Sequence, residues 1–199
     1  MIVYFATSNK GKVENAKLAL KQFNIHVRQI DMDLAESRSE DPAEIAMEKA
    51  KQAYAKLKKP VIVEDSGFFI HALGGFPMTH IKFSLKTIGI KNILKMMQGV
   101  NNRKADWRMT LAYVYGKGKY KPFTFVEKGL IAEKLRPVKR EMMSDYWRIY
   151  VPGKSKSRKS LSEMSDREMD EWQEYFKRHN QFMLLGRYLA EEVKKKART

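Results

Sequence analysis

The sequence predicts an α/β protein with a mixed, twisted β-sheet, flanking helices and two lobes around a central cleft. Three observations favour this fold class. Strand and helix patterns follow one another in a β-α-α-β order at the start of the chain. The run Val61-Ile-Val63 is apolar and β-branched, as in a buried parallel strand. Longer strand patterns in the second half could form a second lobe, so we expect one two-lobed domain over residues 1–199.

The elements of the first half follow from apolar spacing and helix-end signals. Residues 1–6 form an apolar run typical of a strand, and helical spacing predicts a helix over residues 12–23. The capping box Asp41-Pro-Ala-Glu44 predicts a second helix that ends near Leu57, before the Val61 strand. The two apolar stripes are Val13, Ala16, Leu20 and Phe23 in the first helix, and Ala46, Ala50, Ala53 and Leu57 in the second.

The second half predicts longer strands and a terminal helix. Turn signals at Gly116-Lys-Gly118 and near Pro137 separate the strand patterns. A capping box of Ser165 and Glu168 opens the terminal helix, whose Met169, Trp172 and Phe176 share one face. The predicted elements are a short helix over 91–98 and strands over 109–115, 122–135 and 146–151. The alternation of Phe123 with Phe125 predicts strand core rather than a base-stacking platform.

Composition limits the class of protein. The chain has 199 residues, of which 43% are hydrophobic, so it can bury a core of its own. It has no cysteine, which excludes a disulfide scaffold and thiolate metal sites. It also has no apolar run of 18 residues and no signal-peptide pattern at its start. We therefore expect a cytoplasmic protein that does not span a membrane.

The formal net charge is +16, and most of the excess lies in the second half. A basic surface attracts polyanions, so nucleic acid and a nucleoside triphosphate are both candidate partners. A merely solvated basic surface is the alternative. The basic clusters are Lys134, Arg136, Lys139 and Arg140, then Lys154, Lys156, Arg158 and Lys159, and finally the tail from Lys194 to Arg198.

Two segments carry polar groups where α/β proteins place ligands. The loop from Thr7 to Lys12 joins the first strand to the first helix, whose N-terminal N–H groups and dipole favour an anion. Glu64 and Asp65 follow the apolar Val61 strand directly, at the strand end where open sheets bind ligands. A strand followed by an ordinary polar turn is the alternative for the second segment.

Four motifs, in order and together covering about the first half of the chain, resemble the inosine triphosphate pyrophosphatase family. They are Ala6-Thr-Ser-Asn-Lys-Gly-Lys12, Glu64-Asp-Ser-Gly67, Ala72-Leu-Gly-Gly-Phe-Pro77 and Lys86-Thr-Ile-Gly89. The resemblance implies Mg²⁺-dependent hydrolysis of nucleoside triphosphates to monophosphates and pyrophosphate, and a possible homodimer. A basic nucleic-acid-binding or regulatory protein on the same fold is the second hypothesis.

The resemblance also assigns roles to residues. Glu36 and Asp65 would hold Mg²⁺, Asp65 would accept the proton of the attacking water, and Glu64 is a possible further metal contact. Lys49 would place a positive charge toward the triphosphate, although an ordinary solvated lysine is the alternative. The implied phosphate-binding residues are Thr7, Ser8, Asn9, Lys10, Lys12 and Ser66.

The base-recognition motifs depart from the family. A Gly-Phe-Gly-Trp-Asp-Pro stretch is replaced by Met143-Ser-Asp-Tyr-Trp-Arg148, and the family's Ser-His-Arg aligns near Phe176-Lys-Arg178, with His179 one place late. Met78 stands where the family usually has glycine. Trp147 and Tyr146 remain for stacking, and Lys159 and Arg178 for donating to a purine carbonyl. We therefore expect altered or relaxed base specificity.

Overall fold

The computed structural model describes residues 1–35 and 37–196. In this part of the chain the strands are β1 Ile2–Ala6, β2 His26–Ile30, β3 Val61–Ile70, β4 Pro77–Met78, β5 Lys104–Gly116, β6 Lys119–Ile131 and β7 Tyr150–Pro152. The helices are α1 Lys10–Lys21, α2 Pro42–Leu57, α3 Ile81–Thr87, α4 Ile90–Lys95, α5 Asp166–His179 and α6 Gln181–Lys196. The predicted mixed sheet with flanking helices is confirmed.

The strands form one seven-stranded sheet in the order β2-β1-β3-β5-β6-β7, with β4 paired to β3. β1 runs parallel to both β2 and β3, whereas β4 pairs antiparallel to β3 and β7 pairs antiparallel to β6. The register between β1 and β3 ends at Phe5 opposite Ile62. The residues of β3 that follow Val63 therefore lie beyond the carboxyl end of β1.

β3 is longer than the sequence predicted. It continues through Glu64, Asp65, Ser66 and Gly67 to Ile70, so the prediction that the strand ends at Val63 is wrong. The polar side chains do not end the strand, because the Glu64 and Asp65 carboxylates pair with lysine side chains and do not compete for the backbone hydrogen bonds of the sheet. The position expected for the carboxylates is nevertheless close to correct, since they lie just past the end of β1.

The chain divides into two compact units. The first comprises residues 1–65, 109–125 and 177–199, and the second comprises residues 66–108 and 126–176. The expectation that the strands of the second half form a second lobe is therefore wrong for residues 109–125. The reason is that β5 and β6 are each 13 residues long, and each contributes to both units.

The first unit covers its part of the sheet with helices on both faces. Ile62 packs in a cluster with apolar residues of α1 and α6, while Val61 and Val63 pack in another with the alanines of α2. Alternate residues of a strand point to opposite faces, so α1 and α6 lie on one face and α2 on the other. This alternation also decides where the next two side chains, Glu64 and Asp65, are directed.

The second unit has an aromatic core. Phe68 of β3 lies 4.7 Å from both Trp107 and Tyr146, measured between ring centroids. Tyr146 and Tyr150 are fully buried. The hydroxyl groups of Tyr146 and Ser84 are hydrogen-bonded at 2.9 Å. Tyr146 is thus a core residue, and its predicted availability for stacking on a base is wrong, because the residue is enclosed on all sides.

Several local predictions differ from the structure for identifiable reasons. β2 was not predicted because most of its residues are exposed and polar, as in an edge strand. The predicted strand over 146–151 is instead a 3₁₀ turn, Asp145–Arg148, followed by β7. The predicted terminal helix is two helices, because the Asn180 side chain accepts a hydrogen bond from the Met183 amide at 3.0 Å and starts α6.

The predicted capping box of α2 is only partly formed. Asp41 caps α2 as expected, but Glu44 accepts a hydrogen bond from Ser39 Oγ at 2.7 Å rather than from the capping residue.

Met78 adopts φ of 55°, in the left-handed region that favours glycine. A bulky residue thus adopts here a backbone conformation that glycine usually takes. In residues 1–35 and 37–196, no helix combines the length and the apolar character needed to cross a bilayer.

Candidate active site

The loop after β1 is held by its own hydrogen bonds and by β2. The Thr7 amide donates to the Ile30 carbonyl at 3.1 Å, and the Asn9 amide donates to Thr7 Oγ1 at 3.1 Å. The Asn9 side chain then caps α1 by accepting from the Lys12 amide at 3.1 Å. Within the described residues, the amides of Lys10 and Gly11 have no hydrogen-bond partner. The start of α1 therefore offers two N–H groups to an anion.

Glu64 and Asp65 are directed to opposite faces of the sheet, and each is paired with a lysine from the helix that covers its face. Lys12 of α1 lies 3.5 Å from Glu64 Oε1, and Lys49 of α2 lies 3.1 Å from Asp65 Oδ2. The two lysines are thus brought to neighbouring positions of one strand by two different helices. The sequence spacing alone contains no sign of this arrangement.

The Glu64 carboxylate is almost fully buried, with 5% of its side chain exposed. Burial raises the pKa of Glu64, and the nearby Lys12 and a hydrogen bond from Gln181 oppose this rise. Lys12 also donates to the backbone carbonyl of Glu64 at 3.2 Å. These contacts hold the ammonium group of Lys12 at a fixed place beside the start of α1.

Asp65 and Lys49 are more accessible, with 16% of each side chain exposed. The Lys49 ammonium donates to Asp65 Oδ2 across the 16 residues that separate them in sequence. The alternative of an ordinary solvated lysine is therefore wrong for Lys49. The pair presents one carboxylate and one ammonium group on the α2 face of β3.

The other predicted phosphate-binding residues lie along the same strand and loop. Ser8, Asn9 and Lys10 are exposed, and Thr7 and Ser66 are half-buried. Ser66 follows Asp65 in β3 and begins the second unit. Their roles toward a phosphate stay predictions.

The fit of a divalent cation can be judged from the carboxylates of β3. Mg²⁺ keeps several waters and needs only one or two protein carboxylates, and Asp65 offers a partly exposed one on the α2 face of β3. Among residues 1–35 and 37–196, no group of three or more His, Asp or Glu side chains could hold a metal ion. Glu36, the other predicted ligand, lies outside the described residues. The Asp65 carboxylate is compatible with a cation that takes few protein ligands.

Sequence analysis missed Gln181, the first residue of α6. It is 2% exposed, and its side-chain amide donates a hydrogen bond to the Glu64 carboxylate. The sequence does contain a signal, since Asn180 is a favoured N-cap residue and Gln181 follows it. The sequence pattern predicts one terminal helix from Ser165 onward, so it does not reveal that a second helix starts at Gln181.

The predicted base-recognition residues are divided between the two units. In the second unit, Trp147 contacts Trp172 edge to face at 6.5 Å, and Lys159 donates to both carboxylate oxygens of Glu168 at 2.9 and 3.0 Å. Glu168 is also the capping-box residue of α5 and accepts from the Ser165 amide at 2.8 Å. Lys159 is therefore already engaged by a fixed helix terminus.

Arg178 and His179 lie at the end of α5 and belong to the first unit. Both are exposed, and the Arg178 carbonyl accepts a hydrogen bond from the Arg187 guanidinium at 2.9 Å. A contact between either side chain and a nucleobase stays a prediction.

Comparison with known proteins identifies the family. The dITP/XTP pyrophosphatase of Methanopyrus kandleri is 42% identical over 136 residues, which cover 68% of this chain and 72% of that protein. The dITP/XTP pyrophosphatase of Saccharolobus solfataricus is 32% identical over 189 residues, covering 95% and 94% of the two chains.

A solved structure supports the fold. The Staphylococcus aureus Ham1 protein superposes with a TM-score of 0.76 at 22% sequence identity, and the match covers 96% of this chain and 100% of that one. The sequence model of the Ham1 family matches residues 3–183 of this chain. The resemblance inferred from the four sequence motifs is thereby confirmed, and the chain belongs to the Ham1 family.

Proposed function

We propose that this protein is a Mg²⁺-dependent pyrophosphatase that hydrolyses nucleoside triphosphates, most readily those of non-standard purines, to the monophosphate and pyrophosphate. The observation that carries the proposal is the pair of lysine–carboxylate contacts at Glu64 and Asp65, next to a helix start with two unpartnered amides. The names of the relatives, dITP/XTP pyrophosphatase, support the same activity.

The phosphate chain is bound by positive charge and backbone amides. The amides of Lys10 and Gly11 would donate to phosphate oxygens at the N-terminus of α1, and Lys12 and Lys10 would add their ammonium charges. Thr7, Ser8, Asn9 and Ser66 would supply further hydrogen bonds from the same loop and strand. Lys49, held against Asp65, would face the same negative charge.

Asp65 is the residue best suited to activate water. Its carboxylate is partly exposed and fixed by Lys49, whereas Glu64 is buried. In the proposed reaction the carboxylate accepts a proton from water, and the water oxygen bonds to the α-phosphorus. The bond from that phosphorus to the oxygen bridging to the β-phosphate breaks, and pyrophosphate leaves with the bridging oxygen.

Glu36 and Asp65 would hold Mg²⁺, with Glu64 as a possible further contact. When bound, the ion neutralises phosphate oxygens and stabilises the charge that develops on the leaving pyrophosphate. The residues on β3 support this assignment through the chemistry of their oxygens, as Mg²⁺ prefers carboxylate ligands.

Base selection is the part of the proposal that departs most from the family. Trp147 would stack on the base and Arg178 would donate to a purine carbonyl, whereas Lys159, predicted for the same role, is bound to Glu168. Because Lys159 is bound to Glu168 and the family's aspartate is absent, fewer polar groups would be left unpaired by a wrong base. We therefore propose weak discrimination between inosine triphosphate and ATP.

The test is pyrophosphate release with Mg²⁺, measured for inosine, xanthosine and the four common ribonucleoside triphosphates and for their deoxy forms. Release from inosine or xanthosine triphosphate is the expected result. Absence of release from every substrate would contradict the activity. A preference for inosine triphosphate over ATP above about a hundredfold in kcat/KM would contradict the relaxed specificity, because it corresponds to about 2.7 kcal/mol of selective binding.

The nucleic-acid hypothesis has less support. Three residues of the basic clusters are paired with acidic neighbours in the second unit, namely Arg136 with Glu163, Arg140 with Asp166 and Lys159 with Glu168. Salt-sensitive binding of nucleic acid without pyrophosphate release would favour that hypothesis instead. A homodimer stays a prediction that sedimentation equilibrium would test.

A further inference from the structure

Gln181 stands out among the buried polar residues of the first unit because only half of its side-chain amide is satisfied. Its nitrogen donates to the Glu64 carboxylate, while Oε1 is buried and has no hydrogen-bond partner among the described residues. A buried acceptor without a partner destabilises the folded protein. An apolar residue would avoid this penalty, so the presence of glutamine calls for a functional reason.

The contacts of Glu64 suggest that reason. Its carboxylate is shared between two donors, the Lys12 ammonium at 3.5 Å and the Gln181 amide. If Gln181 did not hold part of the carboxylate, Glu64 would be free to turn both oxygens toward Lys12. A charged pair with two close contacts is stronger than one with a single long contact, and it would draw the ammonium group away from a phosphate.

The placement of Gln181 is rigid. Asn180 caps α6 immediately before it, and α6 packs against α1. At Gly186 of α6, a Cβ atom would clash with the Phe23 ring, just past the end of α1, so no larger residue fits without a shift. The helix that carries Gln181 is therefore held against α1, the helix whose first turn carries Lys12.

We propose that Gln181 is a positioning residue that divides the Glu64 carboxylate between itself and Lys12 and so keeps the Lys12 ammonium available to the triphosphate. This inference rests on the proposed function, since it assigns Gln181 to the phosphate-binding lysine of that site. In this role Gln181 acts through Glu64 and not by its own contact with substrate or metal.

The test is Gln181→Met, which keeps the length of the side chain and removes both polar groups. We expect KM for inosine triphosphate to rise about tenfold with kcat changed less than about threefold, because the variant weakens a charge-assisted phosphate contact. The melting temperature should stay within about 3 °C of the parent, because loss of the hydrogen bond to Glu64 is offset by removal of the unpartnered oxygen.

Gln22→Met is the matched control. Gln22 also lies where α1 meets α6 and donates to Ala19 O at 3.1 Å and Met183 Sδ at 3.0 Å, but neither partner belongs to β3. The control should leave KM unchanged. Equal KM values for the two variants, or a loss confined to kcat, would overturn the inference.

A double-mutant cycle with Glu64→Gln separates positioning from a general structural role. If Gln181 acts through Glu64, then Gln181→Met should change KM less than about twofold in the Glu64→Gln background. A full tenfold effect in that background would overturn the inference.

Binding of inorganic tripolyphosphate, measured by calorimetry, distinguishes the two proposals. If the parent releases no pyrophosphate from any nucleotide, the proposed function fails. The inference on Gln181 still stands if tripolyphosphate binds the parent and binds Gln181→Met about tenfold more weakly. It fails if the two affinities are equal.

Discussion

Strands β3 and β6 both carry buried or half-buried carboxylates, but the hydrogen-bond and ion-pair partners of these carboxylates differ. On β3, Glu64 and Asp65 are each paired with a lysine, at 3.5 and 3.1 Å. On β6, Glu127 is 4% exposed and accepts a hydrogen bond from the indole N–H of Trp172. In the described part of the chain no lysine or arginine pairs with Glu127.

The two regions differ in whether a positive charge lies beside the carboxylate. A buried carboxylate needs a compensating cation to remain charged, and α1 and α2 supply one beside each carboxylate of β3. At Glu64 the Lys12 charge opposes, but does not cancel, the rise in pKa that burial causes. Glu127 has only a neutral donor, and burial raises its pKa to about 7. This contrast is consistent with the role proposed for the β3 carboxylates, whereas Glu127 belongs to the aromatic core of the second unit.

Asp65→Asn should produce the largest effect. The substitution removes the proposed proton acceptor without changing the volume of the side chain, so kcat should fall about a thousandfold with the fold retained. Pyrophosphate release and circular dichroism would measure the two properties. Asp41→Asn is the control, since it removes one carboxylate from the cap of α2, where asparagine caps equally well. Activity of Asp65→Asn within a few-fold of the parent would exclude the assigned role.

Glu127→Gln should alter how stability depends on pH. The pKa of Glu127 is raised in the folded protein, from 4.5 to about 7, so the folded state binds the proton more tightly than the unfolded state does. The contribution of Glu127 to the free energy of unfolding is fully present below pH 4.5, declines as the pH rises toward 7 and is lost above pH 7. The parent should therefore lose about 3 kcal/mol of unfolding free energy relative to Glu127→Gln between pH 4.5 and 8.

Urea denaturation of both proteins at several pH values would measure this difference. The comparison with the glutamine variant removes the contributions of other titrating groups, which the two proteins share. A constant difference across the pH range would mean that Glu127 has an unperturbed pKa and that the contrast with β3 is wrong.

Lys12→Ala should weaken binding of a nucleoside triphosphate about thirtyfold, since it removes a fixed charged donor. Lys10→Ala should cost only about threefold, because Lys10 is exposed and its charge is screened. Calorimetry with inosine triphosphate and with inosine would measure both. Neither variant should weaken nucleoside binding, and Lys17→Ala, which removes an exposed lysine paired with Glu14, is the control. Equal losses for triphosphate and nucleoside would contradict the assignment of both lysines.

Lys159→Met should have the smallest effect. Its ammonium group is bound to Glu168 at the start of α5, so the ratio of kcat/KM for inosine triphosphate to that for ATP should change less than about threefold. Lys156→Met, in the same loop, is the matched control. A larger change for Lys159→Met alone would show that the lysine leaves Glu168 to read the base.

The sequence by itself determined the fold class and the phosphate end of the candidate site. β1, the loop to α1, and the apolar start of β3 have local patterns, and the residues between Thr7 and Lys12 are close together in the chain. The caps at Asp41 and Ser165 were also readable, because capping depends on residues within one turn. Interactions over short sequence distances leave a pattern that can be recognised without the structure.

Only the tertiary structure decided which groups meet around β3. Glu64 and Gln181 are far apart in sequence, as are Glu64 and Lys12, and the strand's alternation sends Glu64 and Asp65 to helices on opposite faces. The length of β3, the enclosure of Tyr146 and the burial of Glu127 likewise depend on packing between distant segments. Such contacts follow from where whole helices and strands lie, which no local pattern of residues specifies.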